Sequence, residues 1–180
     1  ESTSGSITSS APLTLAAGDG ILILDALTVV SGTSPLVINA DTDGDSNGTL
    51  TVQTSKTITS GNNAVTITAW DLDLDGSIAA GSGAVVINGA KTGAETIGIG
   101  GTGKDMHLDG NELQRIASTG GLTIGEGLGG DMTLTGATAT NTNNLVTGTV
   151  TLYAAGTDTA TLTFATTASV FNALAAQANG

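Results

Sequence analysis

The chain has 180 residues, with 16 acidic and 4 basic side chains and a formal net charge of −12. Its bases (Lys56, Lys91, Lys104 and Arg115) are scattered, so we expect neither nucleic-acid binding nor docking on anionic lipid. No stretch is long and apolar enough for membrane insertion. Without cysteine, the chain can form no disulfide or cysteine-based zinc site. With 2% aromatic residues and 27 glycines, it suits a narrow interior of Val, Ile, Leu and Ala.

In chain order, the first half repeats one twelve-residue pattern of short strands around a glycine. The copies are Thr28–Asn39, Thr57–Thr68 and Ser77–Asn88. Their glycines lie at positions 32, 61 and 81, so the offsets are 61 − 32 = 29 and 81 − 61 = 20 residues. A period near 20, built from strands and glycine turns, is typical of a chain wound into a β-solenoid. We therefore predict an all-β fold, a β-solenoid with coils of about 20 residues.

Aligning the copies on their glycines predicts which residues are neighbours in adjacent coils. Alternate residues of a strand share a face, so apolar residues should form inward columns. These predicted columns are Ile21/Leu50/Trp70, Ile23/Val52/Leu72, Val29/Ile58/Ile78, Leu36/Val65/Val85 and Ile38/Ile67/Ile87. The predicted outward columns are Thr28/Thr57/Ser77 and Asn39/Thr68/Asn88, whose hydroxyl and amide groups can hydrogen-bond between coils.

The longer first repeat carries nine extra residues, 29 − 20 = 9, which fit the polar run 41–48. We expect this run to project from the solenoid as an acidic loop. Its residues Asp43, Asp45, Asn47 and Gly48 match the start of a calcium loop, but Thr54 stands where the closing glutamate belongs. The favoured interpretation is a solvated turn. The alternative is a low-affinity calcium site formed by Asp41, Asp43, Asp45 and Asn47.

A second acidic run alternates with leucine: Asp71, Asp73 and Asp75 should share one face of a strand, roughly 6.6 Å apart. Such carboxylates could act as acid and base on a glycosidic bond or bind cations. The structural alternative, which we favour, is a solvated face that discourages aggregation. The only histidine, His107, is interpreted as an outward strand residue, and we expect Arg115 to pair with an acid such as Glu112.

The second half keeps the strand chemistry with a looser period. We predict strands at 96–99, 106–108, 122–124, 132–134, 150–153 and 161–164. Residues 111–116 could form a strand or one helical turn, and residues 170–174 a short helix or a strand. The glycine-rich run 98–104 resembles a phosphate-binding loop, but Asp105 follows Lys104 where Ser or Thr is required, so turn glycines are the better interpretation.

The segment IGIGGTGKDMHLDGNELQRIASTGGLTIGEGLGGDMTL, from Ile97 to Leu134, resembles a repeat of filamentous haemagglutinin-type exoproteins. These are large secreted bacterial adhesins and fibres, and the resemblance extends over most of the chain from about Ile38. Glu112, Leu113 and Ile116 match the family's E-L-x-x-I element, and Ile124 and Gly125 match its I-G element. The resemblance implies a right-handed parallel β-helix, an extracellular location and structural roles for these residues. No stretch resembles the family's secretion domain, so residues 1–180 would be one segment of a longer shaft.

Together these features predict a structural or adhesive module of an extracellular or cell-surface fibre rather than an enzyme. Expected partners are further copies of the chain, through stacking of coils, and host-cell or matrix glycans; no cofactor is expected beyond the calcium alternative. Two alternatives stay open. One is a carbohydrate-active β-helix enzyme, a lyase or hydrolase, which would need a groove lined with acids, bases and aromatic residues. The other is an ice-binding protein with flat rows of Thr.

Overall fold

The computed structural model describes residues 5–30, 34–91, 95–126, 130–142, 147–155 and 159–179. Within these ranges the chain forms nineteen short strands and two helices of four or five residues. The strands are β1 (Ser6–Ser9), β2 (Leu13–Ala16), β3 (Ile21–Ile23), β4 (Ala26–Val29), β5 (Leu36–Asn39), β6 (Thr49–Val52), β7 (Thr57–Thr59), β8 (Val65–Ala69), β9 (Asp71–Leu74), β10 (Ser77–Gly81), β11 (Val85–Gly89), β12 (Ile97–Gly100), β13 (Met106–Leu108), β14 (Ile116–Ser118), β15 (Leu122–Ile124), β16 (Met132–Thr135), β17 (Val150–Ala154), β18 (Leu162–Phe164) and β19 (Leu174–Ala178). The helices are α1 (Gly110–Gln114) and α2 (Ala139–Thr142). No described helix has the length and hydrophobicity needed to cross a membrane.

The strands form four sheets, and the strand pairs found among the described residues are all parallel. A seven-stranded sheet has the order β2-β5-β8-β11-β15-β17-β19, and a five-stranded sheet has β1-β4-β7-β10-β14. The smaller sheets are β3-β6-β9 and β13-β12-β16-β18. Three times in succession the chain visits the five-, seven- and three-stranded sheets in that order. The predicted all-β class with parallel pairing is therefore confirmed.

The seven-stranded sheet has the predicted register. Leu36, Val65 and Val85 are neighbours on adjacent strands, as are Ile38, Ile67 and Ile87. All six side chains are 0% exposed. The outward column Asn39/Thr68/Asn88 is also confirmed. In the five-stranded sheet, Thr57 and Ser77 are neighbours whose hydroxyl oxygens lie 2.9 Å apart, so the predicted hydrogen bond between outward hydroxyls is present there.

The predicted register is wrong at β4. Ile58 and Ile78 are neighbours, but Leu27, not Val29, lies beside Ile58, and Thr28 lies beside Thr59 rather than Thr57. This pairing has an offset of 58 − 27 = 31 residues, which is also the offset of the ion pair between Lys56 Nζ and Asp25 Oδ1 at 3.0 Å. The offset of 29 would have separated these two charges. A slip of two residues keeps the same face inward, so the apolar pattern alone does not reveal it.

A second slip of two residues occurs at β9. Leu72 pairs with Leu50, and Leu74 pairs with Val52, so the predicted partners Trp70 and Leu72 are each displaced. Leu72 and Leu74 are buried, whereas Trp70 is only partly buried and lies between β8 and β9. The buried apolar residues among those described are aliphatic or Met. An indole would overfill an interior of this kind, which explains why Trp70 stays at the corner.

The predicted coil length of about 20 residues holds only locally. It describes Val65 with Val85, an offset of 20, but Val85 with Leu122 has an offset of 37 and Leu122 with Val150 an offset of 28. Between Val85 and Leu122 the extra residues include strand β13 and helix α1. The predicted turn at Gly32 lies outside the described residues. At the other two repeats, Gly61 and Gly81 have φ of +62° and +58°, as their turns require.

In the second half the predicted strands are present, and the two ambiguous segments are resolved. Residues 110–114 form α1, whose N-cap Asp109 and third helical residue Glu112 make a capping box, and β14 follows at Ile116. Residues 170–173 are neither helix nor strand, and β19 begins at Leu174. The sequence pattern missed β1, β2 and α2, which are short and largely exposed or half-buried.

The glycine-rich run 98–104 forms a crossing rather than a simple turn. β12 and β13 are parallel neighbours joined by only five residues, far shorter than a usual parallel crossover. Gly98 lies within β12, and a Cβ there would stand 2.2 Å from the carbonyl oxygen of Thr102. Gly98 thus belongs to a strand, as predicted for 96–99, and not to a turn of the glycine-rich run. Because Gly98 has no side chain, the connection 101–105 can pass close over β12.

A disulfide test separates the observed register from the predicted one. The chain lacks cysteine, so Thr28→Cys with Thr59→Cys gives a single pair on adjacent strands about 4.8 Å apart. We expect this pair to oxidise readily. Thr28→Cys with Thr57→Cys is the matched control, because a further two residues along the strand put the Cα atoms roughly 8 Å apart, beyond disulfide reach. Mass spectrometry after mild oxidation gives the answer, and preferential oxidation of the control pair would contradict the register.

Candidate functional site

The acidic run 41–48 connects β5 to β6 and contacts the connection after β2, in the preceding pass, and the connection after β11, two passes further on. The backbone N–H of Thr42 donates to Ala17 O at 3.0 Å, and Asn47 Nδ2 donates to Asp19 Oδ1 at 3.1 Å. On the other side, Lys91 Nζ donates to Ser46 Oγ at 3.1 Å. Gly44 also lies against Ala90, since a Cβ at Gly44 would be 3.5 Å from Ala90 O. The run is thus held between two corners of the sheet stack.

Three of the four predicted metal ligands converge in this run. Asp41, Asp43 and Asp45 each offer a carboxylate oxygen, and these oxygens lie within 4.8 Å of one another. Asp41 is 2% exposed, whereas Asp43 and Asp45 are exposed. The pKa of Asp43 is raised, chiefly because its carboxyl shares a hydrogen bond with Asp41 and further because Asp45 adds negative charge nearby. The cluster therefore gains from a proton or a cation that offsets the mutual repulsion.

Asn47 has a different arrangement from the three aspartates. Its Nδ2 donates to Asp45 Oδ2 at 3.2 Å as well as to Asp19. In this conformation the amide nitrogen of Asn47, rather than its oxygen, contacts the carboxylate of Asp45. Thr54, at the position of the missing closing glutamate, lies exposed in the turn after β6. The geometry therefore centres on Asp41, Asp43 and Asp45, with Asn47 beside them.

Glu95 is a buried carboxyl that sequence reasoning did not find. It is 0% exposed; its Oε2 accepts from the backbone N–H of Lys91 at 2.9 Å, and its Oε1 has no hydrogen-bond partner. Burial raises its pKa from 4.5 to about 7, and the negative charges of Asp105 and Asp41 act in the same direction. Glu95 also packs on Gly89, where a Cβ would lie 2.8 Å from its carboxyl. Glu95 is a single acidic residue outside the apolar alternation of the strands. The sequence pattern therefore gives no indication that its carboxyl is buried.

The row Asp71, Asp73 and Asp75 is only partly a solvated face. Asp71 Oδ1 accepts from the backbone N–H groups of Leu72 and His107, both at 2.9 Å. Its pKa is raised, mainly by burial. Asp73 and Asp75 are exposed. His107 is half-buried, as expected for an outward residue of β13, and its Nε2 lies 2.9 Å from Gly100 O.

Arg115 pairs with an acid, as expected, but that acid is Asp75 rather than Glu112. Its Nη1 lies 3.5 Å from Asp75 Oδ1 and also donates to Leu74 O. Glu112 instead accepts from the backbone N–H of Leu74 through Oε1 at 3.1 Å and from that of Asp109 through Oε2 at 2.8 Å. Burial raises the pKa of Glu112. Asp71 and Glu112 are thus both engaged by backbone donors, which is a structural role for each.

Comparison of the chain with protein-family models, curated proteins and solved structures finds no match.

The buried Glu95 predicts a pH-dependent stability. A carboxyl whose pKa rises on folding binds its proton more tightly in the folded state, so its stabilising effect is complete below pH 4.5 and is lost as the pH rises towards about 7. The loss is at most about 3 kcal/mol. We expect Glu95→Gln to remove this part of the pH dependence and to stabilise the protein at pH 8.

Urea unfolding of both proteins between pH 5 and pH 8 measures the effect. The control is Glu126→Gln, since Glu126 is exposed. If the pH profile of Glu95→Gln followed that of the unmodified chain, the carboxyl of Glu95 would not be the group responsible.

Proposed function

We propose that the four parallel sheets are the walls of one right-handed β-solenoid. Three observations support this: from β1 to β9 the chain visits three sheets in a fixed order, most strands pair with a strand of the next pass, and the buried aliphatic residues form one cluster. Parallel strands joined by crossovers are right-handed in nearly all proteins, which supports the handedness. The resemblance of residues 97–134 to a repeat of filamentous haemagglutinin-type exoproteins supports the same architecture.

With this architecture, the proposed function of the chain is that of a structural and adhesive module in an extracellular fibre. The single observation that carries the proposal is the outer face of the seven-stranded sheet. One outward residue from each strand forms a continuous register column: Thr14, Val37, Thr66, Val86, Thr123, Thr151 and Ala175. Each of these residues is exposed or half-buried. A long wall made mostly of Thr and Val offers many weak contacts rather than one pocket.

Weak contacts repeated along a wall favour adhesion by avidity, because each further contact becomes intramolecular once the first has formed. Host-cell or matrix glycans are partners suited to such a surface. The net charge of −12 helps keep a repetitive β protein soluble. The resemblance to secreted adhesins supports an extracellular location. Val37 and Val86 interrupt the Thr residues of the column, which favours this function over a regular ice-binding lattice.

End-to-end association of copies belongs to the same proposal. At one end of the stack, Ile7, Leu22 and Leu24 are 52%, 58% and 51% exposed and line a cavity of about 350 Å³. At the other end, Phe164 is 59% and Leu174 40% exposed. Both ends also present strands with one neighbour, β3 and β19 among them, and such edges can template a further strand.

Adhesion can be tested with beads that carry many copies of the chain. We expect such beads to bind cultured cells or a matrix polysaccharide surface, and the free chain to bind roughly a hundredfold more weakly or not measurably. Thr66→Gln with Thr123→Gln should weaken bead binding, because both substitutions disturb the outer column. Thr28→Gln with Thr59→Gln is the matched control on the five-stranded sheet. Beads that bind no better than beads coated with an unrelated acidic protein would refute the adhesive function.

Self-association has a separate measurement. Sedimentation velocity should show oligomers that increase with protein concentration, and Leu22→Lys should reduce them because it places a charge on the apolar end. Thr51→Lys on the neighbouring strand, whose side chain is half-buried on the outer face, is the control. A purely monomeric chain at all concentrations would leave the solenoid and adhesion proposals standing but remove end-to-end stacking.

The carbohydrate-active alternative predicts a different result. Depolymerisation of an acidic polysaccharide by the purified chain, abolished by Asp71→Asn, would replace the adhesive proposal with an enzymatic one. We expect no turnover, because Asp71 is held by two backbone N–H donors. The substitution Asp71→Asn retains an oxygen acceptor, so folding of that variant should be preserved.

A further inference from the structure

We propose that Asp41, Asp43 and Asp45 form a calcium site that fastens the 41–48 segment to the neighbouring corners of the sheet stack. The site is independent of the adhesive function and would be present in any protein with this fold and loop. Its ligands come from one connection between β5 and β6, so no change in strand pairing is needed to assemble it.

The spacing of the oxygens suits calcium. Calcium binds carboxylate and carbonyl oxygens at about 2.3–2.6 Å, so two ligands on opposite sides of the ion stand about 4.8 Å apart. The three aspartate oxygens lie within 4.8 Å of one another. One ion can therefore contact all three after small side-chain rotations. Waters would complete the six to eight oxygens that calcium prefers.

A second observation points to a cation in this place rather than to an ordinary acidic turn. Asp41 is 2% exposed, and its Oδ1 accepts from the backbone N–H of Gly44 at 2.9 Å. Its Oδ2 is fully buried and has no hydrogen-bond partner. A buried carboxylate oxygen without a donor or counter-ion is costly, by several kcal/mol in an apolar surrounding. The neighbouring Asp43 brings a second carboxylate to Asp41, which a divalent cation would bridge.

The local backbone holds Asp41 inward. A Cβ at Gly48 would lie 2.3 Å from Asp41 Cβ and 2.2 Å from Ala40 O, so only glycine leaves room for Asp41 at this corner. Asp43 and Asp45 are exposed, so an ion and its waters can enter from that side.

The chemistry favours calcium over other divalent ions. The ligand set consists of hard oxygens without nitrogen or sulfur, which suits magnesium, calcium and manganese rather than zinc or copper. Magnesium requires near-octahedral geometry with oxygens at about 2.0–2.1 Å and loses its water reluctantly. Ligands spread up to 4.8 Å apart on an irregular loop fit the larger and more adaptable calcium ion.

Binding would stabilise contacts that already span three passes of the chain. The segment donates from Thr42 to Ala17 and accepts at Ser46 from Lys91. A calcium ion that draws Asp43 and Asp45 towards Asp41 would hold both contacts in place. Calcium should therefore slow backbone hydrogen exchange in residues 41–48 and raise the melting temperature.

Calorimetric titration of the whole chain with calcium chloride, at constant ionic strength set with sodium chloride, tests the site. We expect one ion per chain with a Kd of roughly 10⁻⁴–10⁻³ M, and magnesium chloride to bind at least about tenfold more weakly. Asp43→Asn with Asp45→Asn should weaken calcium binding by roughly tenfold or more. Both residues are exposed, so this variant should fold.

The matched control is Asp73→Asn with Glu126→Gln, which removes two negative charges at exposed positions outside the cluster. Its calcium affinity should equal that of the unmodified chain. The proposal is overturned if the unmodified chain shows no saturable binding up to about 10 mM calcium, a concentration about tenfold above the weakest Kd expected for extracellular sites. It is also overturned if both double variants lose affinity equally, since general screening of the net charge would then explain the effect.

Discussion

The fold depends on parallel pairing between strands of successive passes. Each strand contributes only a few apolar side chains, so a single pass of the chain cannot bury its apolar face without a neighbouring pass. Burial follows the number of neighbours: β8 and β11, in the middle of the largest sheet, alternate buried and half-buried residues, whereas β1 and β19, at sheet ends, are almost wholly exposed. We therefore expect stability to be cooperative along each sheet, since each strand depends on contacts with its neighbours.

Several acidic side chains accept hydrogen bonds from backbone N–H groups. This structural role explains part of the high acid content. Where strand pairing stops, a backbone N–H is left without a carbonyl partner, and several carboxylates accept from such groups. Asp71 accepts from His107, Glu112 from Leu74, Asp105 from Thr96 and Asp131 from Thr161. Charged acceptors form strong hydrogen bonds, and the bond from Thr161 accordingly lowers the pKa of Asp131. Acidic side chains thus supply acceptors for backbone N–H groups next to strand termini and on edge strands.

The apolar alternation was enough to predict the strands and the inward faces, because a period of two is a strong signal. The alternation was not enough to predict which residues are neighbours on adjacent strands. Leu27 replaced Val29, and Leu74 replaced Leu72, each by a slip of two residues that leaves the buried face unchanged. The loop acids at 41–45 were identified from sequence, but the burial of Asp41 and of Glu95 was not. Both depend on contacts between passes, which a local pattern does not contain.

Because the apolar residues allow slips of two residues, polar contacts in the connections between strands must determine the register. The ion pair of Lys56 with Asp25 has the same 31-residue offset as the adjacent strand pair. Asn63 acts similarly, donating to Val30 O at 3.3 Å and accepting from Ser34 N–H at 3.2 Å. Polar contacts of this kind form at only one offset between strands, whereas aliphatic side chains can be buried together at several offsets. The segment 41–48 is the longest described connection between the first two repeats, and it reaches both neighbouring corners. An ion bound there would add a register constraint at the place where the repeat length changes from 29 to 20 residues.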